Sequence, residues 1–288
     1  MKKQKLVLKN IDCFELDHIF DCGQCFRWNK QEDGSYIGVI SSGVMHVSKI
    51  NDNIYFEGML EGNINSIVYE YFDLQTDYNE FKKILSCVDS NMKKSIEFGK
   101  GIRILNQDLW ETIISFIISA NNNIPRIKGI IERISAKCGK RIEWNDNEYF
   151  LFPTIDELAT LSMADLRALG VGFRDKRIFH TTKMILNGEV SLSKLENMNN
   201  TNEIREELLK LDGVGEKVAD CIMLFSLKRF DSFPIDVWVR RVMNTLYIHN
   251  EDETKVSKKD IKLAAENLFG DIAGIAQQYL FYWARSNF

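Results

Sequence analysis

The sequence predicts an α+β protein, with a small antiparallel β-sheet N-terminal domain over residues 1–98 followed by a mostly α-helical domain over residues 99–288. Three observations carry this reading. Between Ser35 and Glu57 the chain is rich in β-branched and aromatic residues interrupted by turn formers. From about Gly101 onward, apolar residues recur at helical spacing. Charge also changes along the chain, from an acidic stretch to two basic ones.

In order, "SYIGVI", "VMHVSKI" and "IYFEG" read as strands, and "SSG" and "NDN" as the turns that make them antiparallel. Between Lys49 and Lys82 there is no Lys or Arg, while Asp52, Glu57, Glu61, Glu70, Asp73, Asp77 and Glu80 all fall there. The helical pattern begins with Leu109, Ile113, Phe116 and Ile117 and continues through Ile127, Ile130, Ile131 and Ile134. Residues 121–141 hold six cations against Glu132 alone, and residues 167–183 hold five against Asp175, so an overall charge of -4 conceals basic segments in the helical part. Each segment is equally readable as a solvated helix face.

Ile204, Leu208 and Leu211 lie at helical spacing, Gly213 and Gly215 punctuate, and Val218, Ile222 and Phe225 resume the period: a helix-hairpin-helix. Glycines in such a turn let backbone N–H groups reach a surface, where they and the next helix's dipole suit a phosphate oxygen; they equally suit a tight helix connection. Lys217 sits in the first turn of that next helix, where the dipole disfavours a cation and favours a neutral amine. Further on, in "SFPIDVWVRRVM", Asp236 has the position of an N-cap before Val239, Val242 and Met243.

The pair Lys217 and Asp236, each tied to a helix start after a Gly-rich or Pro-containing turn, resembles the helix-hairpin-helix, glycine/proline-rich loop, aspartate (HhH-GPD) superfamily of DNA glycosylases. Within it, "GVGEKVADCI" through "FPIDV" is similar to the 8-oxoguanine DNA glycosylases. "GQCFRW", "SFIISANNNIPRIKGIIERI", "LRALGVGFRDKRI" and "AGIAQQYLFYW" extend the likeness through both inferred domains in chain order.

The resemblance implies a bifunctional DNA glycosylase and abasic-site lyase of base-excision repair, acting as a monomer on double-stranded DNA containing 8-oxoguanine. It implies Lys217 as the nucleophile that forms a Schiff base and Asp236 as the carboxylate that stabilises developing positive charge. Gly23 would offer its carbonyl to the N7 hydrogen of the lesion, Cys221 and Phe281 would enclose the extruded base, and Gln277 would bond its Watson–Crick edge. Asn121 would fill the gap in the duplex, Arg126 and Arg174 would meet the widowed cytosine, and Gly213 and Gly215 would grip the backbone. Phe173 stands where eukaryotic relatives usually have a tyrosine, and Trp238 where they usually have a histidine near the target phosphate, which implies weaker cytosine discrimination.

Two other readings remain open: a monofunctional alkylated-base glycosylase using Asp236 and water, and a non-catalytic helix-hairpin-helix DNA-binding module. No cofactor is expected: no cysteine follows Cys221, as an iron–sulfur loop would require, and Cys22-x-x-Cys25 has no second pair, so no metal is expected there either. The six scattered cysteines and the absence of a signal-peptide pattern lead to the expectation of a cytoplasmic, nucleoid-associated protein. No run of about 18 apolar residues predicts a membrane span.

Overall fold

Five strands, β1 (Lys2–Lys9), β2 (Trp28–Lys30), β3 (Tyr36–Ile40), β4 (Gly43–Ile50) and β5 (Asn53–Leu60), pair antiparallel in the order β1-β5-β4-β3-β2 in a computed structural model that describes residues 1–252 and 255–288. The two inner hairpins are tight: Ile40 pairs with Gly43, and Ile50 with Asn53. Asn51 adopts a left-handed φ of 54°, a conformation asparagine tolerates at turns. Strand β5 alternates half-buried and buried residues, so Ile54, Phe56 and Leu60 share one face. That face joins Phe14, Phe20, Trp28, Val68 and Phe72 in a core where the Phe20 and Trp28 rings stack at 4.1 Å.

After the sheet come the helices Tyr78–Ser86 and Ser90–Phe98, capped by Asp77 and Asp89. Their apolar residues Tyr78, Leu85, Met92 and Ile96 belong to the larger helical core and not to the sheet's core. Leu105, further along the chain, belongs to the sheet's core, and Phe26 to the helical one, so the two cores interleave in sequence.

Helix Leu109–Ser119 is buried almost all round, so it forms the axis of the larger core. It packs against helix Glu216–Ser226, with Phe116 and Phe225 stacked at 5.5 Å. A second hairpin, β6 (Arg141–Trp144) and β7 (Asn147–Phe150), turns through Asn145 and Asp146, both at positive φ. Its Ile142 and Trp144 cover Val39 and Val44 of the sheet. The buried Arg27 ties the halves together, donating to Glu132 at 3.1 Å and to the Phe150 carbonyl at 2.6 Å. Among the described residues, no helix is long and apolar enough to cross a membrane.

Candidate active site

The hairpin joins helix Thr201–Leu208 to helix Glu216–Ser226. Leu208, Leu211 and Val214 anchor it in the core, while Gly213 takes φ +87° and leaves no room for a β-carbon, which would stand 2.9 Å from the Arg177 side chain. Gly215 is the N-cap of the second helix and supplies no side-chain acceptor, so no cap side chain satisfies the opening amides. Asp220 clamps the hairpin from below. Its fully buried carboxylate receives Arg205 at 3.0 Å and Lys262 at 3.3 Å, which joins both hairpin helices to helix Lys258–Phe269.

Lys217 is the second residue of its helix and half-buried. Its Nζ lies 5.4 Å from the centre of the Phe116 ring. One turn later, burial pushes the Cys221 thiol up to about 11 against the pull of the Lys217 charge, which leaves it a neutral thiol beside the amine.

Asp236 occupies the N-cap of helix Val237–Met243, where its carboxylate accepts the Val239 N–H at 2.8 Å. Burial raises its pKa above the usual carboxylate value, opposed by that amide and by the Lys217 charge. Lys217 and Asp236 line one cleft of about 750 Å³ together with Gly213, Gly215, Asn121 and Trp238. Arg177 and Lys258 also line it and were not singled out from the sequence. Arg177 lay within a recognised basic segment, and Lys258 follows a Ser257/Asp260 capping box. Phe116, beside the amine, was read only as a core position.

A second group sits outside the cleft lining. Gly23 adopts φ +81°, and a β-carbon there would come within 3.0 Å of Phe281 Cε1. Gln277 and Phe281 are one turn apart on helix Ala273–Asn287. Gln277 is buried, and its Oε1 has no hydrogen-bond partner among the described residues. An orphaned buried acceptor costs stability unless something donates to it. It therefore marks a place for a ligand's N–H. Cys221 is buried as well.

The loops beside the cleft carry the remaining expected residues. Asn121 is exposed at φ +53°, a conformation asparagine tolerates better than most residues. Arg126 is exposed and Phe173 is 57% exposed. Arg174, in contrast, is 1% exposed: it donates to the carbonyls of Ala120 at 3.0 Å, Asn121 at 2.8 Å and Val171 at 3.2 Å. In this state it is the peg beneath the Asn121 loop and not an open surface donor. Its guanidinium also lies 4.3 Å from the Phe173 ring centre, with Arg177 at 5.6 Å. Burial, and then the neighbouring charges of Arg126 and Arg177, lower its pKa.

The chain is similar to proteins of known activity. Residues 6–113 match the 8-oxoguanine DNA glycosylase N-terminal domain, and residues 114–266 match the HhH-GPD superfamily of base excision DNA repair proteins. A probable N-glycosylase/DNA lyase of Methanothermobacter thermautotrophicus is 32% identical over 234 residues, covering 74% of this chain and 72% of that one. The N-glycosylase/DNA lyase of Saccharomyces cerevisiae is 30% identical over 310 residues, covering 92% and 82% respectively. Among solved structures, the Clostridium acetobutylicum 8-oxoguanine glycosylase/lyase, in complex with double-stranded DNA containing cytosine opposite 8-oxoG, superimposes with a TM-score of 0.94 at 45% identity, covering 99% of this chain and 97% of that one.

Proposed function

The chain belongs to the 8-oxoguanine DNA glycosylases of the HhH-GPD superfamily, and from that membership we propose how its own residues carry out the reaction. It is a base-excision repair enzyme that removes 8-oxoguanine from duplex DNA and cleaves the resulting abasic site. The observation that carries the residue assignment is that a half-buried lysine at a helix start and an N-cap aspartate line the same cleft.

A base in a duplex is unreachable until it leaves the stack, at a cost of a few kcal/mol. Backbone amides at Gly213 and Gly215 grip the phosphates, Arg177 and Lys258 add charge beside them, and Asn121 enters the space the nucleotide vacates, while Phe173 wedges beside the base left behind. Arg126 flanks the opposite base, while Arg174, buried beneath the Asn121 loop, holds that loop in place. Trp238 lies beside the target phosphate in place of an ionisable ring.

The extruded base is read by two groups. Gln277 Oε1, without a partner among the described residues, accepts N–H groups of the Watson–Crick edge. The Gly23 carbonyl accepts the N7 hydrogen that 8-oxoguanine carries and guanine lacks. Guanine would set a lone pair against that oxygen and leave both unpaired, the kind of mismatch that discriminates strongly. Cys221 and Phe281 supply apolar faces for the ring.

In the chemical step Lys217 Nζ, as the free amine, bonds to C1′ while the N-glycosidic bond breaks and its electron pair leaves with the base. The Asp236 carboxylate stabilises the positive charge that builds on the sugar. Proton loss from nitrogen and opening of the sugar ring give the Schiff base. Removal of a C2′ proton then expels the 3′ phosphate by β-elimination.

The alkylated-base reading gives Lys217 no role, and the binding-module reading gives none to Asp236 or Gln277. Incubation with an 8-oxoguanine duplex tests the proposal: free 8-oxoguanine and a strand break, both lost in Lys217→Gln, are expected. Base release that persists in that variant would favour the monofunctional reading, and no release by wild type the binding module.

A further inference from the structure

We propose that Gln278 is a positioning residue for lesion recognition, fixing the direction of the Gly23 carbonyl from the same helix on which Gln277 faces the base. The inference rests on the assignment of that carbonyl as the lesion test.

The loop Asp21–Gln24 presents four successive carbonyls, and three of them are occupied. Arg285 donates to the Asp21 carbonyl at 2.7 Å, Gln278 Nε2 to that of Cys22 at 2.5 Å, and Gln107 Nε2 to that of Gln24 at 2.8 Å. The Gly23 carbonyl accepts no hydrogen bond among the described residues. The loop is thus held on either side of the one acceptor left free.

The hold is rigid on both sides. Gln278 is 1% exposed, and its position places it and Arg285 seven residues apart, two turns along one face of helix Ala273–Asn287. On the other side the fully buried Gln24 side chain donates to the carbonyls of Ile19 at 2.9 Å and Arg103 at 2.8 Å and accepts the Leu105 N–H at 2.8 Å. What remains adjustable is Gly23 itself, at a φ of +81° where glycine is free to rotate. Without the Gln278 amide, the Cys22 peptide loses its anchor and the Gly23 carbonyl its fixed direction. A hydrogen bond that decides between two bases tolerates little misalignment.

The experiment compares wild type with Gln278→Met, which removes the donor at similar volume, and Gln278→Glu, which sets a carboxylate against the Cys22 carbonyl. Two readouts are taken: single-turnover release of 8-oxoguanine, and borohydride trapping on a duplex that already contains an abasic site, which needs Lys217 but no base recognition. Release slower by at least about tenfold in both variants, with abasic-site trapping within about twofold of wild type, is expected. Release at the wild-type rate, or a parallel fall in both readouts, would overturn the inference, the second outcome marking Gln278 as a structural residue only. A wild type active on the lesion beside unaffected variants removes this inference alone, whereas a wild type inactive on the lesion removes the reading beneath it as well.

Discussion

A β-carbon on Gly23 would stand 3.0 Å from Phe281 Cε1 and 3.3 Å from its Cζ, on a backbone whose φ of +81° L-residues rarely adopt. Loop and ring are therefore fitted to each other, and Gly23→Ala must move one of them. The left-handed conformation adds a cost of about 1–2 kcal/mol. We expect 8-oxoguanine release to fall at least about tenfold with abasic-site cleavage retained, measured by single-turnover kinetics on the two substrates.

Asp236 combines a cap and a charge, and asparagine separates them. An asparagine still accepts the Val239 N–H, so Asp236→Asn keeps the helix start. Burial has raised the carboxyl pKa, so the folded state binds that proton more tightly than the unfolded chain and the buried anion costs stability at neutral pH. The variant should be no less stable than wild type in thermal melts. Its excision rate should nonetheless fall about 100- to 1000-fold, the size of effect seen when a group that stabilises transition-state charge is removed.

The pH dependence follows with the same sign. The carboxylate is present at neutral pH and is lost as pH falls through a folded value above 3.8. Wild-type excision should therefore decline on its acid limb at higher pH than an exposed aspartate would give. A rate profile that stays level down to pH about 4, near the ordinary carboxylate value, would remove Asp236 from the chemistry.

Phe173 faces solvent with two arginines over its ring and offers no hydroxyl. Recognition of the opposite base through this residue is apolar and indifferent to donor pattern. Excision rates for 8-oxoguanine opposite C, T, G and A should lie within about tenfold, or roughly 1.4 kcal/mol. A strong preference for C in those four duplexes would contradict this.

The buried Asp220 carboxylate holds two cations that are themselves partly exposed. Asp220→Ala leaves Arg205 and Lys262 without that partner and unfastens the hairpin from the helix behind it. Removing one member of a buried ionic group costs about 3–5 kcal/mol, and partial exposure of the cations points to the lower end, about 3 kcal/mol. Chemical denaturation measures this loss, and a change below about 1 kcal/mol would show that the clamp carries little.

What was legible in the sequence depended on how local its cause is. β3, β4 and β5 announce themselves through alternation and turn residues, and the hairpin through two glycines between helical runs. β1 was not singled out, because the lysines of "KKQKLVLK" mask the inward alternation of Leu6 and Leu8. β6 and β7 were absorbed into a region read as helical, although "EWNDNE" carries a two-residue turn at Asn145 and Asp146. Lys217 and Asp236 stand out in the sequence because each sits at a helix start. The burial of Arg174 was hidden, since a charge run does not reveal which arginine folds inward onto the Ala120 and Asn121 carbonyls. Gln24, Gln107 and Gln278 carry no sequence signal, because their meeting around Gly23 is made by tertiary packing of distant segments.

The central claim is that the Lys217 amine bonds to the deoxyribose of an extruded oxidised purine. Borohydride reduction of the intact protein with an 8-oxoguanine duplex, followed by mass spectrometry of the crosslinked peptide, tests it most directly. A covalent adduct on Lys217, absent in Lys217→Gln, is expected. No adduct, or an adduct on another side chain, would contradict the account.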